Sequence, residues 1–203
     1  MENSQSADQL AFERMLFFSD AVFAIAITLL VIEIKVPVLP HGATDRELGF
    51  ALVGLIPRFV GFIISFFLVG QTWVEHHRIG RQLQRYERGL LWSNLWMLFF
   101  VAAMPFATAL LSEYPWSRVT VTVYALIFTG LGLAKASLWR GALRHRLVDV
   151  NSVEAQSISR RVWATPLTAA TVGVLGGFGV PFAMLGFTLI PVVARTLDRS
   201  RRS

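Results

Sequence analysis

Four stretches of this chain are apolar for about the length of one bilayer crossing, and a fifth is too long for a single crossing. Windows at residues 15–36, about 51–75, 90–111 and 119–139 each suit one helix of roughly twenty residues. Val162 to Ala194 then runs 33 residues without a charge. As one helix that run would measure about 50 Å, against a hydrocarbon core of about 30 Å. Its middle, "GGFGVP" (Gly176 to Pro181), breaks a helix and suits a tight hairpin. The run therefore divides into two short spans, near 162–177 and 180–196, which makes six. The expected fold class is an all-α membrane protein, a single six-helix domain over residues 1–203.

Composition agrees with this reading. Only 16% of the 203 residues are charged and 54% are hydrophobic, where a soluble domain carries about a quarter charged residues. The mean hydropathy is +0.55. With no cysteine there is no disulfide framework and no thiolate chemistry. The net charge of +6 does not point to nucleic acid, because the basic residues sit beside apolar spans, where topology accounts for them. The leader before Arg14 holds three acids against that one arginine, and no small-residue cleavage site follows before Lys35. It does not read as a cleaved signal peptide.

Charge placement sets the orientation. With the N-terminus in the cytoplasm, six spans put fourteen basic residues inside and three (Lys35, Arg46 and Arg118) outside. That is the asymmetry of a cytoplasmic face, and both termini fall on it. Five spans would strand the arginines of the tail outside. Trp73, Trp92, Trp116, Trp139 and Trp163 fall near span ends, where amphipathic rings anchor. Arg58 and Lys135 are close enough to span ends to snorkel. The basic segment from Arg140 to Arg161 reads as solvated and topology-setting, either extending the fourth helix or lying on the membrane surface.

The first span carries an anomaly. "RMLFFSDAVFAIAITLLVIEIK" (Arg14 to Lys35) places Ser19 and Asp20 one turn inside an otherwise apolar run. A carboxylate at the centre of such a helix costs roughly 2–3 kcal/mol to insert, and less near its end. At the helical period, Ile25, Leu29 and Ile32 share one face with Thr28 on its flank, while Asp20 and Ser19 lie about 140° and 120° away on either side. An acid in a membrane seeks protein partners. Trp73, His76 and His77 in "TWVEHHR", and Asn94 in "LLWSNLW", stand at the same depth. A hydrogen-bonded clamp joining the first three spans accounts for the group. His76 and His77 point about 100° apart and "VEHH" is not HExxH, so no metal site is expected. The apolar stripe fits equally a lipid-facing surface and the lining of a dewetting constriction.

These residues carry a resemblance. "R-MLF-FSD" followed by "AVFAIAITLLVIEIKVP", with "WVEHHR" (Trp73 to Arg78) and "NLWMLFFVAAMPF" (Asn94 to Phe106), resembles the transmembrane protein 175 family, the lysosomal potassium channels and their bacterial relatives. The likeness covers roughly residues 12–110. It implies a cation channel whose pore is lined by the first helix of each repeat, without the TVGYG carbonyl filter. The single Phe-Ser-Asp motif implies the bacterial form, a homotetramer in the cell membrane with K+ as permeant ion and no cofactor. Ile25 would then be the narrowest apolar ring, with Leu29 and Ile32 forming further rings and Thr28 offering hydroxyls beside them. Arg14, Ser19, Asp20, Trp73, His76 and Asn94 would form the clamp behind the pore helix.

Two other classes compete. A proton-coupled transporter would use Asp20 and a histidine as its relay, yet the chain shows no inverted repeat or midplane break near Asp20. A membrane enzyme lacks a nucleophile–base or ligand constellation.

Overall fold

The apolar windows become α-helices in the computed structural model of the protein, which describes residues 2–85, 87–115, 117–179, 186, 187 and 189–199. The described elements are α1 (Glu2–Ile32), α2 (Asp45–Val53), α3 (Ile56–Gln82), α4 (Arg88–Glu113), α5 (Arg118–Arg144), α6 (Val153–Arg161), α7 (Ala164–Gly177) and α8 (Ile190–Arg199). Among the described residues there is no strand. Four helices are long and apolar enough to cross a membrane: α1 from Gln9, α3, α4 and α5. The fifth expected span, 162–177, corresponds to α7, whose fourteen residues reach about 21 Å. Of the sixth, 180–196, residues 180–185 and 188 lie outside the described part, and the helix that follows begins at Ile190.

The second span differs from its expected bounds. Residues 51–75 are not one helix: α2 ends at Val53, and α3 starts at Ile56 with a proline in its first turn. Pro57 lacks an N–H, which costs nothing at a helix start and disfavours a helix continuing through it. α3 then runs on through the polar "TWVEHHRIGRQ" because those side chains find partners on neighbouring helices. α2 is held by a capping box. The Glu47 carboxylate accepts from the Thr44 backbone N–H at 2.7 Å and from its hydroxyl at 2.9 Å. Those bonds hold the Glu47 carboxyl below its ordinary range. Their contribution is therefore present above the usual glutamate pKa and fades as pH falls through the lowered one.

α5 is the central post, packed against α4 on one side and α7 on the other, while α1 lies across α4 and α3. Tyr124, Phe128, Leu131, Leu138 and Trp139 of α5 are all fully buried. Trp139 is therefore core, not an interface anchor; its Nε1 donates to Ser159 Oγ at 2.9 Å. Trp92 is exposed, and Trp163 is half-buried with the Arg140 guanidinium 4.7 Å from its ring centre. Trp116 lies outside the described residues.

The basic segment is also more ordered than a solvated loop. α5 continues to Arg144, the chain turns through Arg146 at φ 54°, and Leu147 and Val148 bury themselves. Gln84 N–H donates to Leu147 C=O at 2.9 Å, tying this turn to the end of α3. α6, capped by Ser152, buries Ala155 and Ile158. The arginines masked a short apolar pattern that needed a surface to cover.

Close approach of α7 to α5 depends on small residues. A Cβ at Gly132 would lie 2.6 Å from Pro166 Cδ and 2.7 Å from its nitrogen, and a proline ring has little freedom to retreat. Helices in lipid lack a hydrophobic drive to associate, so such close backbone contact supplies the packing. Gly132→Ala is expected to lose about 1–3 kcal/mol, the usual cost of overpacking. A melting temperature in detergent equal to the parent's would show that α7 has room to move.

Candidate functional site

α1 has two faces. Met15, Ser19, Phe23, Ala26 and Leu30, at steps of three and four, are buried against the rest of the chain. Ile25, Leu29 and Ile32 face outward at 59%, 41% and 65% exposure. Thr28 lies with the outward stripe, its hydroxyl donating to backbone carbonyls of its own helix, Ala24 at 3.0 Å and Ile25 at 2.9 Å. The donor is thereby occupied while the oxygen lone pairs stay on the exposed side.

Behind the stripe runs a chain of hydrogen bonds whose direction the geometry fixes. Ser19 Oγ donates to Met15 C=O at 2.8 Å, so it accepts from Asn94 Nδ2 at 2.9 Å. The Asn94 Oδ1 then accepts from His76 Nε2, also at 2.9 Å, which places a hydrogen on Nε2. Ser19, His76 and Asn94 are all buried. His76 packs on Phe23 with ring centres 5.7 Å apart. A second contact stands beside the chain: Trp73 Nε1 donates to Asp20 Oδ1 at 2.8 Å, with both residues part-exposed. Helices α1, α3 and α4 are thus joined at one level by five of the six expected residues. Arg14 is the sixth. It is exposed and takes no part in these bonds, because its position on α1 turns it out of the protomer.

A groove of about 430 Å³ opens beside the clamp, lined by Phe12, Glu13, Asp20, His77 and Arg81 among others. Among the described residues, no three His, Asp or Glu side chains gather closely enough to hold a metal ion.

Two further polar ties were not foreseen. Ser65 Oγ lies 3.0 Å from the Tyr124 hydroxyl and 2.8 Å from Thr108 Oγ1, linking α3, α5 and α4. Lys135, expected to snorkel, is 1% exposed. Its ammonium pairs with Glu75 of α3 and donates to Thr165 Oγ1 of α7 at 2.9 Å. The signal in the sequence was a lysine amid "GLAKAS", where small residues let neighbouring helices pack closely over it. Arg58 does lie at a helix end, and it pairs with Glu113 at 2.8 Å.

The chain has known relatives. The family model for the endosomal/lysosomal potassium channel TMEM175 matches residues 14–105, a range that holds every residue of the clamp and the stripe. A potassium channel of Streptomyces collinus is 36% identical over 194 residues, 88% of this chain and 93% of that one. This chain belongs to the TMEM175 family. The crystal structure of a lysosomal potassium-selective channel TMEM175 homolog from Chamaesiphon minutus matches the fold with a TM-score of 0.78 and 34% identity, covering 92% of this chain and 98% of that one. The human endosomal/lysosomal proton channel TMEM175 is 28% identical over 165 residues, 77% of this chain but 31% of the human one. The chain is accordingly a bacterial-type TMEM175 member and a multi-pass membrane protein.

Asn94 is the link on which the clamp turns. Asn94→Ala removes both of its side-chain bonds and leaves His76 and Ser19 buried with fewer partners, a cost of about 2 kcal/mol. Trp73→Phe removes one part-exposed bond and costs about 1 kcal/mol. Thermal unfolding of the two variants in detergent checks the order; equal losses would mean that the buried chain carries no extra weight.

Proposed function

We propose that this chain is one subunit of a homotetrameric cation channel, weakly to moderately selective for potassium, in a bacterial plasma membrane. Each subunit contributes six membrane segments, the last two (162–177 and 180–196) a short hairpin, with both termini in the cytoplasm. The pore is lined by α1. One observation carries this reading: the apolar stripe of Ile25, Leu29 and Ile32 is turned out of the protomer while Ser19 and Asp20 of the same helix are bonded to α4 and α3. Naming of the relatives as potassium channels supports it.

The physics of such a pore follows from its lining. An isoleucine ring offers no ligand to a dehydrated ion, so conduction requires the ring to widen until water passes with the cation. Closure is dewetting at the same ring. Discrimination then falls to the Thr28 oxygens beside the stripe and to backbone dipoles, which keeps it modest. Ser19, Asp20, Trp73, His76 and Asn94 hold the rotation of α1 and have no contact with the ion. The proton-relay alternative needs Asp20 bonded to a histidine. Asp20 instead bonds Trp73, which does not titrate, and His76 bonds Asn94.

Purified protein in liposomes under opposed K+ and Na+ gradients tests the assignment. Ile25→Ser should raise flux and blunt the preference for K+ over Na+, and a cross-linking ladder should stop at four. Flux and preference both equal to the parent's would take the constriction away from Ile25.

A further inference from the structure

The Glu75–Lys135–Thr165 cluster lies outside the clamp, and the channel reading above does not use it. Resting on that reading, we infer that these three residues are a positioning strut: they fix α3, and through it the clamp that sets the bearing of the pore helix.

The strut stands where ordinary packing is thin. α3 packs against α4 and α1, but its backbone barely approaches α5. The buried Lys135 side chain bridges that gap. Its head meets Glu75 of α3 and Thr165 of α7 together. Thr165 is in place because Pro166 sits directly on Gly132, one turn before the lysine. α6 roofs the cluster: Ser157 and Ile158 line a cavity of about 30 Å³ beside Glu75 and Lys135, room for roughly one water. Arg78 and Glu154 stand at its edge, 4.0 Å apart. With the lysine buried and the acid mostly so, the pair interacts more strongly than one in water. A lysine without its acid there would be an uncompensated buried charge.

Position on the helix turns this pair into a lever. Glu75 is the residue before His76 and two after Trp73, about 100° and 200° around α3. One side of the helix is therefore bonded to α1 and α4, and the other to α5 and α7. A tilt or rotation of α3 loosens Trp73–Asp20 and His76–Asn94–Ser19 together, and α1 turns with them. Lys135 and Thr165 lie beyond residues 14–105, so the strut links the family-matched half of the chain to the remainder.

The test uses tetramers in liposomes, with flux counted per folded tetramer and preference read from opposed K+ and Na+ gradients. Lys135→Met and Glu75→Gln are expected to change K+ flux by about fivefold or more and to shift the preference, a coupling of ordinary size. Thr165→Val, which keeps both charges, should give a smaller change in the same direction, while Thr165→Ser, which keeps the hydroxyl, should match the parent. Placed on Ile25→Ser, which removes the constriction, Lys135→Met should no longer alter flux. Parental flux and preference in the folded variants would overturn the strut, and so would an undiminished Lys135→Met effect on the Ile25→Ser background. Should the charge variants fail to assemble, the Thr165→Val and Thr165→Ser pair decides alone. A parent protein that passes no cation would instead overturn the channel reading.

Discussion

Asn94 has two amide donors and a carbonyl, and at 0% exposure water does not serve them. That requirement fixes the rotation of α1. Rotating α1 by one residue, about 100°, would present Phe18 or Asp20 to Asn94 in place of Ser19. Neither satisfies it in the same way: phenylalanine has no acceptor atom, and a carboxylate in Ser19's place would lose its Trp73 partner and enter a buried site as a charge. One amide therefore selects one azimuth of α1. The outward stripe is a consequence of that choice, since Ile25, Leu29 and Ile32 lie on the side Asn94 does not hold.

This part of the molecule was legible because its information is periodic. A polar pair inside an apolar run marks the inward face of α1, and depth counted from the helix start selects Trp73, His76 and Asn94 as partners. Arg14 sits beside the motif in sequence but on another azimuth, exposed in the protomer. Helix bounds were read less well, since hydropathy sees only how apolar a window is. It could not see that Pro57 starts α3 afresh, or that "TWVEHHRIGRQ" stays helical once its side chains are bonded. Nor does hydropathy register a pairing such as Glu75 with Lys135, sixty positions apart. Leu147, Val148 and Ile158 were hidden among arginines for the same reason, because scattered apolar residues between charges do not raise a window's mean.

The two lysine and arginine pairs show how depth changes a similar chemistry. Arg58 and Glu113 meet at helix ends, both partly exposed, where solvent screens the pair and either partner is hydrated when the other leaves. Lys135 and Glu75 meet between helices, and the lysine has no such alternative. The first pair adds little to stability. In the second, the desolvation of both ions is offset only while the partners stay together, so the pair resists separation more than it adds to net stability.

Small residues explain why the C-terminal half can hold its end of this arrangement. α7 is about 21 Å long, shorter than the hydrocarbon core, and does not owe its place to its own span. It is seated by contact: Gly132 under Pro166, Gly173 against Ala125, Gly176 against Val121, each too close for a Cβ to be added without movement. Three such contacts along one helix face leave α7 little freedom to slide on α5. Thr165, at the start of that seated helix, is thus presented to Lys135 from a fixed base, and a hydrogen bond from a fixed base constrains its partner more than one from a mobile side chain does.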